Sequence, residues 1–225
     1  MKKISNLLII IAILYILSLG IITIVKAVNI VEKVIKEKQL PYSEKKIISL
    51  PNFNVLKVSG EGLLIIVSAD KNGIITNKDF TYSVKGDTLF MQLSNSERAF
   101  KLLVKDLNAL YLRDYVKVIF SRQGNKPFNT VLSDYSTLFL QVDSIKRIDI
   151  EQYESSEMQI ISGQIRFANA LLKDEASLKI YAQLDTIDGF SDTATTIELL
   201  KYKTILLKAE GKVIRLRNKS LNINL

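Results

Sequence analysis

The pairs Leu138/Leu140, Met158/Ile160, Leu178/Ile180 and Ile197/Leu199 repeat one apolar-x-apolar phrase at steps of 20, 20 and 19 residues. Two apolar residues separated by one other mark a strand with a single buried face, because successive strand side chains point to opposite sides. A fixed interval between such strands means that the chain comes back to the same place after each circuit and lays one coil on the last. Leu110/Leu112 is read as the preceding member; its step of 28 residues is assigned to a loop of Gly124, Asn125, Lys126 and Pro127 inserted into one coil. A second set falls between the first: Val116/Val118, Ile148/Ile150, Ile165/Phe167, Leu184/Ile187 and Ile205/Leu207. Ser136, Ser156, Ala176 and Thr195 stand just before the repeated pair, small where the backbone must turn tightly.

These columns predict an all-β fold, a right-handed parallel β-helix-like domain in which alternation buries one face of each coil and solvates the other. A two-sheet sandwich or jelly roll also uses short strands, but it does not require a twenty-residue step. Upstream, the apolar runs at 55–58, 63–67, 81–84 and 88–93 are connected through Gly60, Gly62, Asn72-Gly73 and Gly86-Asp87. Those turn residues predict hairpin-linked strands ahead of the coils.

The chain opens on a different kind of segment. The stretch that begins at Leu7 and ends at Val25 has no charged residue and is dominated by Leu and Ile, with Lys2 and Lys3 before it and Lys26 after it. Nineteen helical residues span about 28 Å, enough to cross a bilayer core and longer than the apolar part of most cleaved signal peptides. The reading is a single-pass anchor over 1–28, a helical stalk over 29–45 and a β-helical domain over 46–225. Pro41 ends the stalk, whose Glu32/Lys36 and Lys33/Glu37 pairs are spaced four apart. Lys26, Lys33, Lys36 and Lys38 outnumber Lys2 and Lys3, but Glu32 and Glu37 accompany them and long domains translocate largely regardless of loop charge. The expected location is the bacterial cell membrane, with the bulk of the chain extracytoplasmic, in the periplasm.

At this point the sequence resembles a family. PheAsnValLeuLysValSerGlyGluGly at 53–62, the AspLysAsnGly turn at 70–73 and LysGlyAspThrLeu at 85–89 resemble the opening of the DUF2807 family, the autotransporter adhesin head domain also called the GIN domain. The resemblance covers about residues 47–217 and implies stacked β-helical coils. Coils of that family usually carry glycine at the turn after the first strand, whereas Asp114-Tyr115, Gln152-Tyr153 and Leu172-Lys173 occupy that region here, which makes the chain a divergent member.

Composition narrows the chemistry. The chain has no cysteine and no histidine, which removes disulfides, thiol nucleophiles, Cys/His zinc sites, imidazole bases and an acylated-cysteine lipid anchor. It also lacks a phosphate-cradling glycine loop and a GxSxG elbow, so neither a cofactor nor a metal is expected. The net charge of +8 biases an exterior domain toward anionic glycans or lipid head groups, with another envelope protein as the further possibility and nucleic acid not expected.

Two groups of side chains stand out as candidates. Asp134, Glu154 and Asp174 recur at twenty-residue steps, so stacked coils would set them in an acidic ladder. Solvated turn residues, a cation site and a polysaccharide-cleaving pair all fit that ladder. Lys201, Lys203, Arg215 and Arg217 place pairs of cations on single strand faces, to bind an acidic polymer or to keep a terminal strand edge from pairing. Asp185, Asp188 and Asp192 surround Gly189 at spacings that do not fit a calcium loop and are read as a turn between coils. Tyr111, Tyr135, Tyr153, Tyr181 and Tyr202 recur about once per coil, for packing or for stacking on sugars. The function expected is a membrane-anchored binding or scaffold module and not an enzyme. A polysaccharide-active enzyme using the acidic column, or a single-span lipid-handling bridge with an open apolar groove, is the alternative.

Overall fold

The computed structural model describes residues 46–76, 81–94, 100–209 and 214–216. The anchor and stalk expected over 1–45 lie outside the described residues, as does Arg217; no helix among the described residues is long and apolar enough to cross a membrane. The described chain is all-β, with fourteen strands in one sheet system. They are β1 (Lys46–Ser49), β2 (Val55–Ser68), β3 (Gly73–Thr76), β4 (Thr81–Lys85), β5 (Thr88–Leu93), β6 (Phe100–Val104), β7 (Ala109–Leu112), β8 (Tyr115–Arg122), β9 (Phe128–Leu132), β10 (Thr137–Gln152), β11 (Glu157–Leu172), β12 (Ser177–Ser191), β13 (Thr196–Ala209) and β14 (Ile214–Leu216).

From β7 onward the chain winds in parallel coils. Strands β10, β11, β12 and β13 each make most of a circuit and pair in parallel with the next, Leu138 against Met158, Met158 against Leu178 and Leu178 against Ile197. The sandwich alternative is thereby set aside, because the ladders run parallel between consecutive coils. Inside each coil the apolar column is continuous: Leu64, Val118, Leu138, Met158, Leu178 and Ile197 lie one over another and are all 0% exposed. Each side chain is covered by its neighbours above and below, so the interior is filled and no coil can shield its own apolar edge alone.

The alternation is interrupted twice per coil. In β10, Leu138, Leu140 and Val142 point inward; Asp143 and Ser144 then both face out, Ile145 faces in, Lys146 and Arg147 both face out, and Ile148, Ile150 and Gln152 are buried again. Two successive outward residues reverse the phase of the strand, which is how a continuous run turns a corner without leaving the sheet. The third corner is a four-residue turn closed by a hydrogen bond from the last N–H to the first carbonyl, Ser136 to Ser133, Ser156 to Tyr153 and Ala176 to Lys173. Its central residues are both left-handed, Asp134/Tyr135, Glu154/Ser155 and Asp174/Glu175, with φ between 53° and 66°. That is the geometry of a primed turn, and Asp tolerates it better than most L residues do. Ser136, Ser156, Ala176 and Thr195 sit buried just past these turns, and the hydroxyls of Ser136 and Ser156 donate to carbonyls of the preceding coil.

The register corrects several readings of the sequence. Leu110/Leu112 does not precede Leu138/Leu140; it stacks on Thr130 and Leu132, while Val118/Phe120 lies over Leu138/Leu140. The step is therefore twenty residues there too. Gly124 to Pro127 is no insertion but the corner in register with 144–147, with the Lys146 N–H donating to the Asn125 carbonyl and exposed Asn125 standing where Ile145 is buried. The second apolar set mixes two columns, since Ile165 stacks with Ile145 and Leu184 whereas Ile187 stacks with Ile148 and Ala168.

The hairpin expectation holds for β4 and β5, antiparallel across Gly86-Asp87, but not for 55–67. Those residues form the single strand β2, a full coil that takes a corner at Gly60 and Gly62. It lies between β5 and β6 on one edge and β7 and β8 on the other, all parallel to it. Strands β3 and β1 continue that upper edge in antiparallel pairing.

Candidate functional site

With the interior filled, chemistry is left to the outer surface, where the corners present rows of side chains. The row following Ile145 carries Lys146, Arg166, Asp185 and Lys203 in four successive coils, and the next carries Arg147, Phe167, Thr186 and Thr204. Together they line an open groove of about 560 Å³. Arg147 is anchored twice: its guanidinium donates to both carboxylate oxygens of Asp149 at 2.8–3.1 Å and lies over the Phe167 ring at 5.2 Å. Lys203 pairs with Asp185 at 2.7 Å. Four cations thus share two acids, and Lys146 and Arg166 have no ion-pair partner among the described residues.

Of the sequence-predicted basic residues, Lys203 lines this groove. Lys201 is exposed in the row of Gln183 and Gln164, one residue before the inward column. Arg215 lies in β14 opposite Glu198.

The acidic column occupies the left-handed turns, as the twenty-residue spacing implies, and its strongest interaction is between Asp134 and Glu154, with the charge of Asp174 adding to the upward push on Glu154. Asp134 and Glu154 interact: hydrogen bonding with the Glu154 side chain, ahead of the Ser133 hydroxyl and the Arg113 charge, holds Asp134 below the usual carboxylate range. The same hydrogen bond, with the charge of Asp134, pushes Glu154 upward. Arg113 lies 3.4 Å from Asp134 and 3.6 Å from Asp114, which extends the acidic row one coil further than the sequence reading. Asp114 itself accepts from the Gly60 N–H at 2.9 Å. Among the described residues no three acidic side chains converge in a way that could hold a metal ion.

The tyrosines do not form one column. Tyr135 stacks on Tyr115 with centroids 5.3 Å apart and planes 3° from parallel, while Tyr111 packs under the Lys57 ammonium and Tyr153 donates to Glu151. Asp185 and Asp188 lie inside β12, and only Asp192 starts a turn, its carboxylate accepting from the Ala194 and Asp174 N–H groups.

Sequence reasoning missed Arg122. It is 5% exposed, donates to the carbonyls of Gly124 and Lys126 at 3.2 and 3.0 Å, and lies over Phe128 at 5.1 Å. Burial lowers its pKa, against the raising influence of Asp106. It pins the corner directly above the groove. An arginine ending a strand just before a Gly-Asn turn is the only signal the sequence held.

No family model matches the chain, and neither does any curated protein. Solved structures do resemble it. A Bacteroides fragilis protein named as a candidate adhesin superposes with a TM-score of 0.56 at 13% identity, over 77% of this chain and 95% of its own. A Parabacteroides distasonis protein named likewise gives a TM-score of 0.43 at 14% identity, over 77% and 95%. At such identities the likeness to the Bacteroides protein is one of fold.

Proposed function

We propose that this chain is a single-pass envelope protein whose right-handed parallel β-helix, over 46–225, is a binding or scaffold module and not an enzyme. In this reading residues 1–28 anchor it in the bacterial cell membrane, 29–45 form the stalk, and the β-helix stands on the periplasmic side. The partner is an anionic glycan, a lipid head group or another envelope protein. The observation that carries the reading is the filled interior. With Leu138, Met158, Leu178 and their neighbours closing every coil, a ligand has only the outer rows to meet, and these are rigid, repeated and basic at the corner groove. The likeness to a structure named as a candidate adhesin supports it through fold alone.

The lipid-bridge alternative needs an open apolar trough, which the filled coils do not favour. For the enzyme alternative, the Asp134–Glu154 pair is the one favourable feature: two carboxyls pushed apart in pKa resemble an acid and its counterpart. Yet Glu154 stands exposed on a turn, and the one surface beside the pair suited to a sugar ring is the exposed Tyr115–Tyr135 stack.

Because the chain contains no cysteine, Asp143→Cys creates a unique exposed thiol for topology. A membrane-impermeant maleimide should label it in cells with a permeabilised outer membrane and an intact inner one, while carbonate extraction leaves the protein in the membrane fraction. Labelling only after lysis would overturn the placement. Substituting Asp134→Asn, Glu154→Gln and Asp174→Asn together should leave ligand capture unchanged.

A further inference from the structure

We propose that the corner groove binds a linear anionic polysaccharide lying along the coil axis, with Arg166 and Lys146 as its principal charge contacts. The inference rests on the binding-module reading and gives it a site and a ligand class. Residues 146, 166, 185 and 203 occupy one row in consecutive coils, so the row is about 14 Å long at ~4.8 Å per coil. An extended acidic glycan running along the row offers its carboxylates or sulfates on a similar scale, one or two sugars at a time.

Three features favour this occupant. Lys146 and Arg166 stand side by side on adjacent strands with no acid between them, and like charges so placed destabilise a sheet unless an anion joins them. The second row adds the hydroxyls of Thr186 and Thr204, which are neutral donors and acceptors suited to sugar hydroxyls rather than to phosphates alone. The two rows run in line along the coil axis for about 14 Å, a track that a single linear chain can follow. Single-stranded nucleic acid would want a free aromatic face, and the Phe167 ring is already covered by Arg147.

The test uses the full-length chain in nonionic detergent micelles and measures binding of fluorescent polygalacturonate by polarisation, with heparin as a sulfated arm. Lys146→Gln with Arg166→Gln should weaken binding tenfold or more and flatten its dependence on salt. The same loss of charge at Lys101→Gln with Lys117→Gln, two exposed lysines away from the groove, should change it less than twofold. Thr204→Lys, which adds a cation to the row, should tighten binding. The proposal falls if both double variants weaken binding equally, if uncharged dextran competes as well as polygalacturonate, or if the groove variant affects only phosphatidylglycerol vesicles or an oligonucleotide. It also falls if no polysaccharide binds. Maleimide topology does not depend on any of these outcomes, so loss of the groove and loss of the envelope placement are told apart.

Discussion

At the scale of single residues, backbone geometry and buried charge decide the largest effects. Gly163 takes φ = 108° at a corner of β11, and a Cβ there would stand 1.9 Å from the Val142 carbonyl oxygen of the coil above. Gly163→Ala should cost about 3 kcal/mol, since strain and a backbone clash add. Gly86→Ala, at φ = 59° with open space around it, should cost about 1 kcal/mol; urea denaturation of the two variants checks the contrast. Arg122→Met leaves the Gly124 and Lys126 carbonyls without their charged donor, a loss of about 2 kcal/mol that Arg122→Lys should not fully restore, because one ammonium cannot fork to both.

The Asp134–Glu154 pair makes a pH prediction. Glu154 is raised in the folded chain, so its contribution is fully present below the unfolded pKa and is lost as pH rises through the folded value. Asp134 is lowered, so its contribution is present above the unfolded pKa and is lost as pH falls through the folded one. Glu154→Gln keeps a donor toward Asp134 and removes the repulsion. Its Tm should therefore exceed the parent's by more at pH 7 than at pH 4, and equal gains at both pH values would contradict the interaction between the two carboxyls.

At the scale of elements, the coil is three straight runs joined by corners, and each run depends on the runs above and below. Met158, buried between Leu138 and Leu178, should cost about 3 kcal/mol on truncation to alanine. The column that contains it was legible in the sequence because a strand packed against both neighbours must repeat its apolar pair once per circuit. Which pair belongs to which circuit was not legible. Leu110/Leu112 and Val118/Phe120 both fit the apolar-x-apolar phrase, and only the ladder to β9 and β10 assigns them. The acidic row was found because turns keep the same spacing as strands. The basic groove was missed because its two rows come from corners where alternation changes phase, so that Lys146 and Arg166 resemble ordinary polar residues until the coils are stacked.

At the scale of the molecule, a stack held together by nearest neighbours should open from its ends. Amide exchange should be slowest in the central strands β10 to β12 and faster in β4, which pairs only with β5, and in the last full coil, β13. Uniform protection from β4 to β13 would instead indicate one indivisible unit.

By itself the sequence determined that this part of the chain is all-β and wraps about every twenty residues, because a buried position in a coil is a local requirement that must recur with the circuit. It also marked the tight turns, through small residues and acids that tolerate left-handed backbone. The tertiary structure alone decided that β2 lies between strands that follow it in the chain, and that four cations from three coils share one groove. Those facts depend on register between segments about twenty or more residues apart, and a strand read alone carries its own alternation but no record of the neighbour against which it is aligned.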